Sequence, residues 1–86
     1  MDIRETIKSI LTDKFGVEPT LITDTASFTN DMGLDSLDHV ELIMEIEKMY
    51  GIYIKDEDAE KCTVFGDAVK YIENRVKELG AKATEG

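Results

Sequence analysis

Residues 33–48, GLDSLDHVELIMEIEK, constrain the fold most strongly because apolar side chains recur at helical spacing on two opposite sides. At about 100° per residue, one side collects the residues that a small domain would bury, namely Leu42, Ile43, Ile46 and Met49. The opposite side carries a second apolar strip, made of Leu37, Val40 and Met44. Acidic residues surround this strip, so the sequence predicts a helix that buries one apolar face and exposes the other to water.

The first two helices are predicted to end at glycines. Residues 3–15 repeat isoleucine, leucine and phenylalanine at helical spacing, and Gly16 follows. The helix that starts near Ser36 continues to Tyr50, and Gly51 follows. Glycine adopts the left-handed conformation that closes many helices, so both glycines are predicted helix ends.

Two more helices are predicted in the second half of the chain. Asp56 is the predicted N-cap of a short helix that extends to about Lys61. Thr63 is the predicted N-cap of a fourth helix, which carries an apolar stripe and is predicted to end at Gly80. The sequence therefore predicts an all-α fold, a four-helix up-and-down bundle with three main helices and one short helix.

A long connection, residues 16–35, separates the first two helices, and Pro19 keeps it out of a regular helix. Loops of this length are uncommon in compact domains unless they are functional or fixed to the core. Five apolar side chains are available to fix it: Leu21, Ile22, Phe28, Met32 and Leu34. We therefore predict an ordered loop over the core. The short run at residues 52–54 is predicted to be an extended connector.

The length of 86 residues favours a single domain, predicted at residues 1–80, followed by a flexible tail at residues 81–86. The net charge of −9 makes nucleic acid and anionic membranes poor partners. No apolar run is long enough for stable membrane insertion, and the start MDIRETIKSI has no signal-peptide pattern. The single cysteine, Cys62, excludes an internal disulfide framework and fits a reducing compartment. We expect a cytoplasmic monomer.

The negative charge is concentrated in residues 35–60. This segment holds nine acidic residues against Lys48 and Lys55, which accounts for −7 of the −9. An acidic helix is usually only a solvated face. The alternative is a docking surface that attracts basic partners at long range. Charge by itself favours the solvated face.

Enzyme and metal chemistry find little support in the sequence. The only histidine, His39, lies three residues after Ser36 on the same helix, and GLDSL lacks the second glycine of the nucleophile elbow. Neither Gly33 nor Asp56 gives the spacing of an EF-hand loop. Cys62 and His39 are too few for zinc, and Cys62 is predicted to be a buried apolar filler. We therefore predict no catalytic residue and no designed metal site.

Ser36 remains as a candidate for chemistry. A serine at a helix start often serves as the N-cap, but Asp35 is already a suitable cap. Position 39 is also His instead of the Glu or Gln that a capping box beginning at Ser36 would need. The Ser36 hydroxyl is predicted to be exposed in the first turn, where backbone N–H groups favour a phosphate. The position therefore suits a phosphodiester.

The stretch GLDSLDHVELIMEIEK resembles the modification site of acyl carrier proteins of the bacterial type II fatty acid synthase family. The segments ASFTNDMGLDSLD, VELIMEIEKMYGI and DEDAEKCTVFGDAVKYI are similar to family segments in the family order. The resemblance implies a four-helix shuttle that is not an enzyme. It implies that Ser36 is esterified by 4′-phosphopantetheine, donated from coenzyme A by a phosphopantetheinyl transferase. The terminal thiol of that group would carry growing fatty acyl chains as thioesters.

The resemblance also implies how the surface is used. Asp35 and Leu37 flank the attachment residue and complete the cofactor site. The implied partner-binding residues are Asp35, Leu37, Asp38, Val40, Glu41, Met44 and Glu47. The apolar members would anchor partners weakly, and the acids, joined by Glu45, would steer basic enzyme patches. The implied partners are the ketoacyl synthases, malonyl transacylase, reductases and dehydratases of fatty acid synthesis, together with acyltransferases.

Carriers of this family shelter the acyl chain between their helices. The implied acyl-pocket residues are Phe28, Leu42, Ile46, Ile54, Ala59, Cys62 and Ala68. The alternative is that these side chains are simply core, and both roles are compatible. The sequence departs from the family pattern at several positions, which bear on the pocket shape and the choice of partners: His39, Lys48, Tyr53, Lys55 and Cys62.

Two other functions stay open at this point. The first is a specialised carrier of the same fold, which serves a polyketide or another acyl or aminoacyl pathway. The second is a non-carrier acidic interaction module in which Ser36 is only a cap.

Overall fold

The structure is a computed structural model that describes the backbone of residues 2–85 and the side chains of residues 2–78. Its elements are α1 (Ile3–Phe15), a short 3₁₀ helix (Pro19–Leu21), α2 (Ser36–Tyr50), α3 (Asp56–Lys61) and α4 (Phe65–Glu85). The predicted all-α fold with three main helices and one short helix is confirmed.

The predicted ends of α1 and α2 are confirmed. Gly16 and Gly51 both adopt the left-handed conformation, with φ values of 67° and 64°. Their backbone N–H groups donate to the carbonyls of Leu11 and Glu47, respectively. Each glycine therefore satisfies a carbonyl that the helix end would otherwise leave without a partner.

The prediction that Asp56 caps α3 is wrong. Asp56 is the first residue of the helix, and the N-cap position belongs to Lys55, which makes no side-chain cap hydrogen bond. The first turn consists of Asp56, Glu57 and Asp58. Their negative charge lies at the positive end of the helix dipole, which favours the helix start without a capping side chain.

The predicted ends of the fourth helix are also wrong. Because α4 begins at Phe65, Val64 precedes it, and the Thr63 carbonyl instead accepts a hydrogen bond from the backbone N–H of Phe28. The helix continues through Glu85, past Gly80. A glycine inside a helix costs about 1 kcal/mol but does not by itself end the helix. The side chains of the predicted flexible tail, residues 81–86, lie outside the described residues.

The long connection between α1 and α2 is fixed to the core, as predicted. Four of the predicted side chains are buried: Ile22, Phe28, Met32 and Leu34. The fifth prediction is wrong, because Leu21 is 44% exposed on the 3₁₀ helix, none of whose residues is buried. Residues 52–54 form no helix, in agreement with the predicted connector.

A set of backbone hydrogen bonds joins this long connection to the chain just before and at the start of α4, and we call it the backbone strap. Phe28 N–H donates to the Thr63 carbonyl at 3.0 Å. Phe65 N–H donates to Ala26 at 3.0 Å, and Gly66 N–H donates to Asp24 at 2.9 Å. The Phe28 side chain, at the end of this strap, is buried in the core and contacts His39 of α2.

The core lies where α1 packs against both α2 and α4. Its largest fully buried side chains are Phe28, Phe65, Ile7, Leu11, Leu42, Ile46, Ile72 and Val69. The predicted inner face of α2 is confirmed for Leu42, Ile43 and Ile46. It is wrong for Met49, which is 55% exposed because it lines an open cavity against the partly polar residues of α1, including Ser9 and Asp13.

Candidate functional site

The candidate site begins at the N-terminus of α2, which is closed by a reciprocal pair of side chains. The Asp35 carboxylate accepts a hydrogen bond from Asp38 N–H at 2.9 Å, and the Asp38 carboxylate accepts one from Asp35 N–H at 3.3 Å. This is a capping box in which Asp38 takes the position usually held by Glu or Gln. The box begins at Asp35, one residue before Ser36, and was therefore not predicted from the residues at positions 36 and 39. Asp35 is confirmed as the N-cap.

Ser36 is the first residue of α2 and is exposed. Because Asp35 supplies the cap hydrogen bond, the Ser36 hydroxyl is not needed for it. The side chain lines a cavity instead, so a group attached to its oxygen would have free space on one side and solvent on the other. The local geometry therefore fits a large covalent substituent on Ser36.

The second apolar strip of α2 faces water, as the sequence predicts. Leu37 is 74% exposed, Val40 54% and Met44 50%. An exposed leucine alone would be ordinary, but three large apolar side chains on successive turns form a surface that can contact another protein.

Besides Asp35 and Asp38, two more of the acids around this strip make contacts within the protein. Lys14 Nζ lies 2.8 Å from a carboxylate oxygen of Glu45, and this hydrogen bond holds the pKa of Glu45 below its ordinary value. Glu47 accepts a hydrogen bond from the backbone N–H of Ile54 at 2.7 Å, which ties α2 to the connector before α3. Glu41 is exposed on the same helix. The acidic face thus contains carboxylates that are held in place and at least one that projects into solvent.

Two cavities lie beside Ser36 and the apolar strip. The first, which we call the serine-side cavity, has a volume of about 340 Å³ and is lined by Phe28, Thr29, Ser36, His39, Val40, Glu60 and Thr63. The second, which we call the α2–α3 groove, has a volume of about 140 Å³ and is lined by His39, Val40, Ile43, Met44, Glu47, Tyr53, Ile54, Asp56 and Ala59. Both cavities share the walls formed by His39 and Val40.

The implied acyl-pocket residues fall into two groups. Three of them line a cavity: Phe28 lines the serine-side cavity, and Ile54 and Ala59 line the α2–α3 groove. The other four are buried in the core and line neither cavity: Leu42, Ile46, Cys62 and Ala68.

Several lining residues lie outside the implied acyl-pocket set, including His39, Glu60 and Thr63. The sequence signals for His39 are its helical spacing from Ser36, which places both on neighbouring sides of α2, and its departure from the family pattern. Glu60 and Thr63 come from the segment around the end of α3, so only the folded chain brings them to Ser36.

His39 joins α2 to the end of α3. Its Nε2 atom lies 2.9 Å from the backbone carbonyl oxygen of Cys62, so this nitrogen carries the proton and donates. The imidazole also packs against Phe28, with ring centroids 5.6 Å apart and a tilt of 50°. The half-buried position at the edge of the core agrees with the prediction made for this residue.

Cys62 is a buried free thiol, and its predicted burial is confirmed. Burial raises the pKa of the Cys62 thiol to about 11, and the nearby charges of Asp58 and Asp67 raise it further. The thiolate is the reactive form of cysteine, so this side chain is poorly suited to nucleophilic chemistry.

Side-chain hydrogen bonds help to hold α3, in which no residue is fully buried and only Ala59 packs against the core. Tyr71 on α4 donates its hydroxyl to a carboxylate oxygen of Asp58 at 2.9 Å. Burial, followed by this contact with Asp58, raises the pKa of Tyr71 to about 12, so the hydroxyl stays a donor over the ordinary pH range. Arg75 donates to the backbone carbonyl of Tyr53 at 3.3 Å.

Within the described part of the chain, no three His, Cys, Asp or Glu side chains lie close enough together to hold a metal ion. Among the helices described, none has the length and apolar character needed to cross a membrane.

The bundle and its candidate site define a class, the small helical bundles in which an exposed serine at the start of a helix is followed by an exposed apolar strip. Comparison with known families gives the particular group: residues 5–72 match the family described as "Phosphopantetheine attachment site". The match covers more than half of the chain, so the protein belongs to this family.

Family membership fixes the general role of the protein. It is a carrier, not a catalyst, and 4′-phosphopantetheine is attached covalently to one of its serines. A carrier of this kind interacts with a phosphopantetheinyl transferase, which installs the group, and with acyl-processing enzymes, which use it.

Proposed function

We propose that Ser36 is the attachment serine and that the protein carries growing fatty acyl chains for type II fatty acid synthesis. The observation that carries the proposal is the exposed Ser36 hydroxyl in the first turn of α2, released from capping by Asp35 and open to a cavity. When bound, the phosphopantetheine supplies a terminal thiol that holds the acyl chain as a thioester.

In this proposal the residues that flank Ser36 shape the attachment site. The capping box of Asp35 and Asp38 fixes the first turn, so the serine is presented on a rigid helix start. Leu37, at 74% exposure, gives the transferase an apolar contact next to the reacting oxygen. The proposal includes a carrier domain at residues 1–80 and a tail at residues 81–86, and the matched segment, residues 5–72, lies within the proposed domain.

The partner surface is proposed to be the apolar strip with its acids. Val40 and Met44 would anchor the synthases, reductases, dehydratases and transacylases of fatty acid synthesis, and Glu41 and Glu47 would steer their basic patches. A small apolar area with a charged surround gives fast encounter and fast release, which a shuttle needs. The same proposal puts the protein in the cytoplasm, in keeping with its single free cysteine.

The acyl chain is proposed to lie in the serine-side cavity and the α2–α3 groove. Phe28, Ile54 and Ala59 contribute apolar walls to these cavities. The core residues Leu42 and Ile46 lie behind them, together with Cys62 and Ala68, and would contact a chain that penetrates further. An aliphatic chain suits such walls because it makes no hydrogen bonds that the interior would have to satisfy.

A specialised carrier for a polyketide or another acyl or aminoacyl pathway is the second candidate. The observation that favours it is the polar ring of His39 in the wall of both cavities. The acyl groups present on protein purified from its host would decide between the two. A series of straight chains from short to long supports the fatty acid role, and a single unusual acyl or aminoacyl group would replace it.

The attachment site is tested by incubating the unmodified protein with coenzyme A and a broad-specificity phosphopantetheinyl transferase. We expect the intact mass to rise by one phosphopantetheine in the wild type and in Ser9→Ala, which removes an exposed serine on α1. Ser36→Ala is expected to gain no mass. A mass gain in Ser36→Ala would assign the attachment to another residue.

The docking surface is tested by Met44→Glu. Because Met44 is half exposed on the proposed surface, we expect slower acyl transfer to a ketoacyl synthase with an unchanged urea unfolding curve. Met49→Glu is the matched control, since Met49 is similarly exposed on the same helix but borders the cavity against α1. Equal transfer rates for the two variants would remove Met44 from the docking surface.

A further inference from the structure

His39 stands between the two cavities beside Ser36. Its side chain lines both the serine-side cavity and the α2–α3 groove. Val40 also lines both, but it is an aliphatic side chain that is 54% exposed and forms no hydrogen bond. Of these two shared residues, only His39 makes a side-chain hydrogen bond, which can break and form again.

Two contacts hold the His39 ring in this position. The Nε2–H group donates to the Cys62 carbonyl at 2.9 Å, and the ring face packs against Phe28. Cys62 is the C-cap of α3, so the hydrogen bond fastens the end of α3 to the first turn of α2. None of the α3 residues is fully buried, so this bond adds to the packing of Ala59 and Cys62 in keeping α3 against the bundle.

We propose that His39 is a gate that sets how far a carried acyl chain enters the protein, an inference that rests on the proposed attachment at Ser36. The acyl chain is held by the terminal thiol of the arm on Ser36, and an arm that folds back along the protein brings the chain first to the serine-side cavity, which Ser36 itself lines. To continue into the α2–α3 groove it must pass the imidazole, and the Nε2–Cys62 hydrogen bond must break. Short chains therefore stay on the Ser36 side, and longer chains gain enough apolar contact in the groove to displace the ring.

The strength of the gate follows from the hydrogen bond that closes it. A neutral hydrogen bond contributes a modest net stability, which corresponds to an equilibrium factor of about 2- to 10-fold. Loss of the bond should therefore shift the population of the inserted state by about 2- to 10-fold in favour of insertion. Such a factor matters most for chains of intermediate length, whose contacts in the groove nearly balance the cost of opening.

The test compares the wild type with His39→Ala and His39→Gln, each loaded enzymatically from butyryl- or octanoyl-coenzyme A. Glutamine keeps a donor at a similar distance from the backbone, whereas alanine removes both the donor and the ring. Amide ¹H–¹⁵N shifts of Ile54 and Ala59, which line the groove, report the inserted chain. In the wild type and in His39→Gln, only the octanoyl chain is expected to move these signals.

In His39→Ala the butyryl chain is expected to move the same amide signals, and the octanoyl population in the groove should rise by about 2- to 10-fold. If alanine unfolds the protein, His39→Phe preserves the packing on Phe28 without the donor and should give the same direction of change. Identical shifts in all variants at both chain lengths would overturn the gate. Failure to gain the mass of the acylated group would overturn the proposed attachment instead, so the two failures are distinguishable.

Discussion

The bundle formed by α1, α2 and α4 and the segment that contains α3 are stabilised in different ways. The bundle buries apolar side chains that are almost completely inaccessible, among them Ile7, Leu11, Leu42, Ile46 and Ile72. No residue of α3 itself is buried. The segment is fixed by Ile54 and Cys62, which are buried on either side of α3, and by four side-chain hydrogen bonds: Glu47–Ile54, Arg75–Tyr53, Tyr71–Asp58 and His39–Cys62.

This difference assigns the two regions different kinds of stability. Apolar burial in the bundle is distributed over many contacts, so the bundle unfolds cooperatively, as one unit. Each hydrogen bond contributes only about 1 kcal/mol net, so the α3 segment can open locally while the bundle stays folded. A carrier that must admit and release a chain benefits from having its cavities on the more weakly held side.

The largest expected effect comes from a cavity in the bundle. Leu42→Ala removes a fully buried side chain and should lower the free energy of unfolding by about 2–5 kcal/mol, measured by urea denaturation. Met49→Ala is the control on the same helix, and its exposed side chain should change the stability by less than about 0.5 kcal/mol. Equal losses of unfolding free energy in Leu42→Ala and Met49→Ala would contradict the distinction between the packed inner face of α2 and its exposed C-terminal end.

A smaller effect is expected for the reactivity of the Cys62 thiol. Because burial raises its pKa to about 11, the thiolate fraction at pH 8 is on the order of a hundred times lower than in an exposed cysteine. Reaction of the native, unmodified protein with a thiol-specific chromogenic disulfide should be slower than reaction in urea by at least that factor. The ratio of the reaction rate in urea to the rate in the native protein should fall as the pH rises towards 11, because the exposed thiol is already ionised there and the buried thiol begins to ionise. Fast labelling of the native protein at pH 8 would show that the α3 side is open most of the time.

The smallest effect is expected for one of the hydrogen bonds that hold the α3 segment, the bond from Tyr71 to Asp58. Tyr71→Phe removes the donor to Asp58 and should cost about 1 kcal/mol, seen as about fivefold faster local opening of α3 by amide hydrogen exchange. Exchange in α1 should stay unchanged. Tyr50→Phe is the control, because the buried Tyr50 hydroxyl has no hydrogen-bond partner within the described residues and its removal should cost nothing. A uniform acceleration over all helices in Tyr71→Phe would show that α3 does not open separately.

The helices were predictable because their signals are local. Apolar spacing defines α1 and α2, and Gly16 and Gly51 close them in the conformation that glycine permits. The errors arise where distant parts of the chain decide the outcome. Met49 has the spacing of a buried residue, but the facing surface of α1 leaves it open. Thr63 has the chemistry of a cap, but its carbonyl is engaged by Phe28 and the helix begins later.

The candidate site was predictable to a similar extent. Ser36 and the exposed strip follow from a motif and from helical spacing within a single helix. The ties of His39 to Cys62 and of Glu47 to Ile54 connect residues on different elements, so the sequence pattern of α2 alone does not indicate them. The capping box was not predicted because it begins at Asp35, one residue before the serine from which the pattern was counted, and its third helical position holds aspartate in place of Glu or Gln.

The backbone strap has a consequence for how the protein is made. Its three hydrogen bonds join residues 24–28 to residues 63–66, which are separated in the chain by all of α2 and α3. During synthesis on a ribosome, the loop after α1 therefore has to wait for the start of α4 before its amides find their final acceptors. We expect pulse-labelled hydrogen exchange during refolding to protect the Phe28 amide late, together with the Phe65 amide, and after the first amides of α1 and α2.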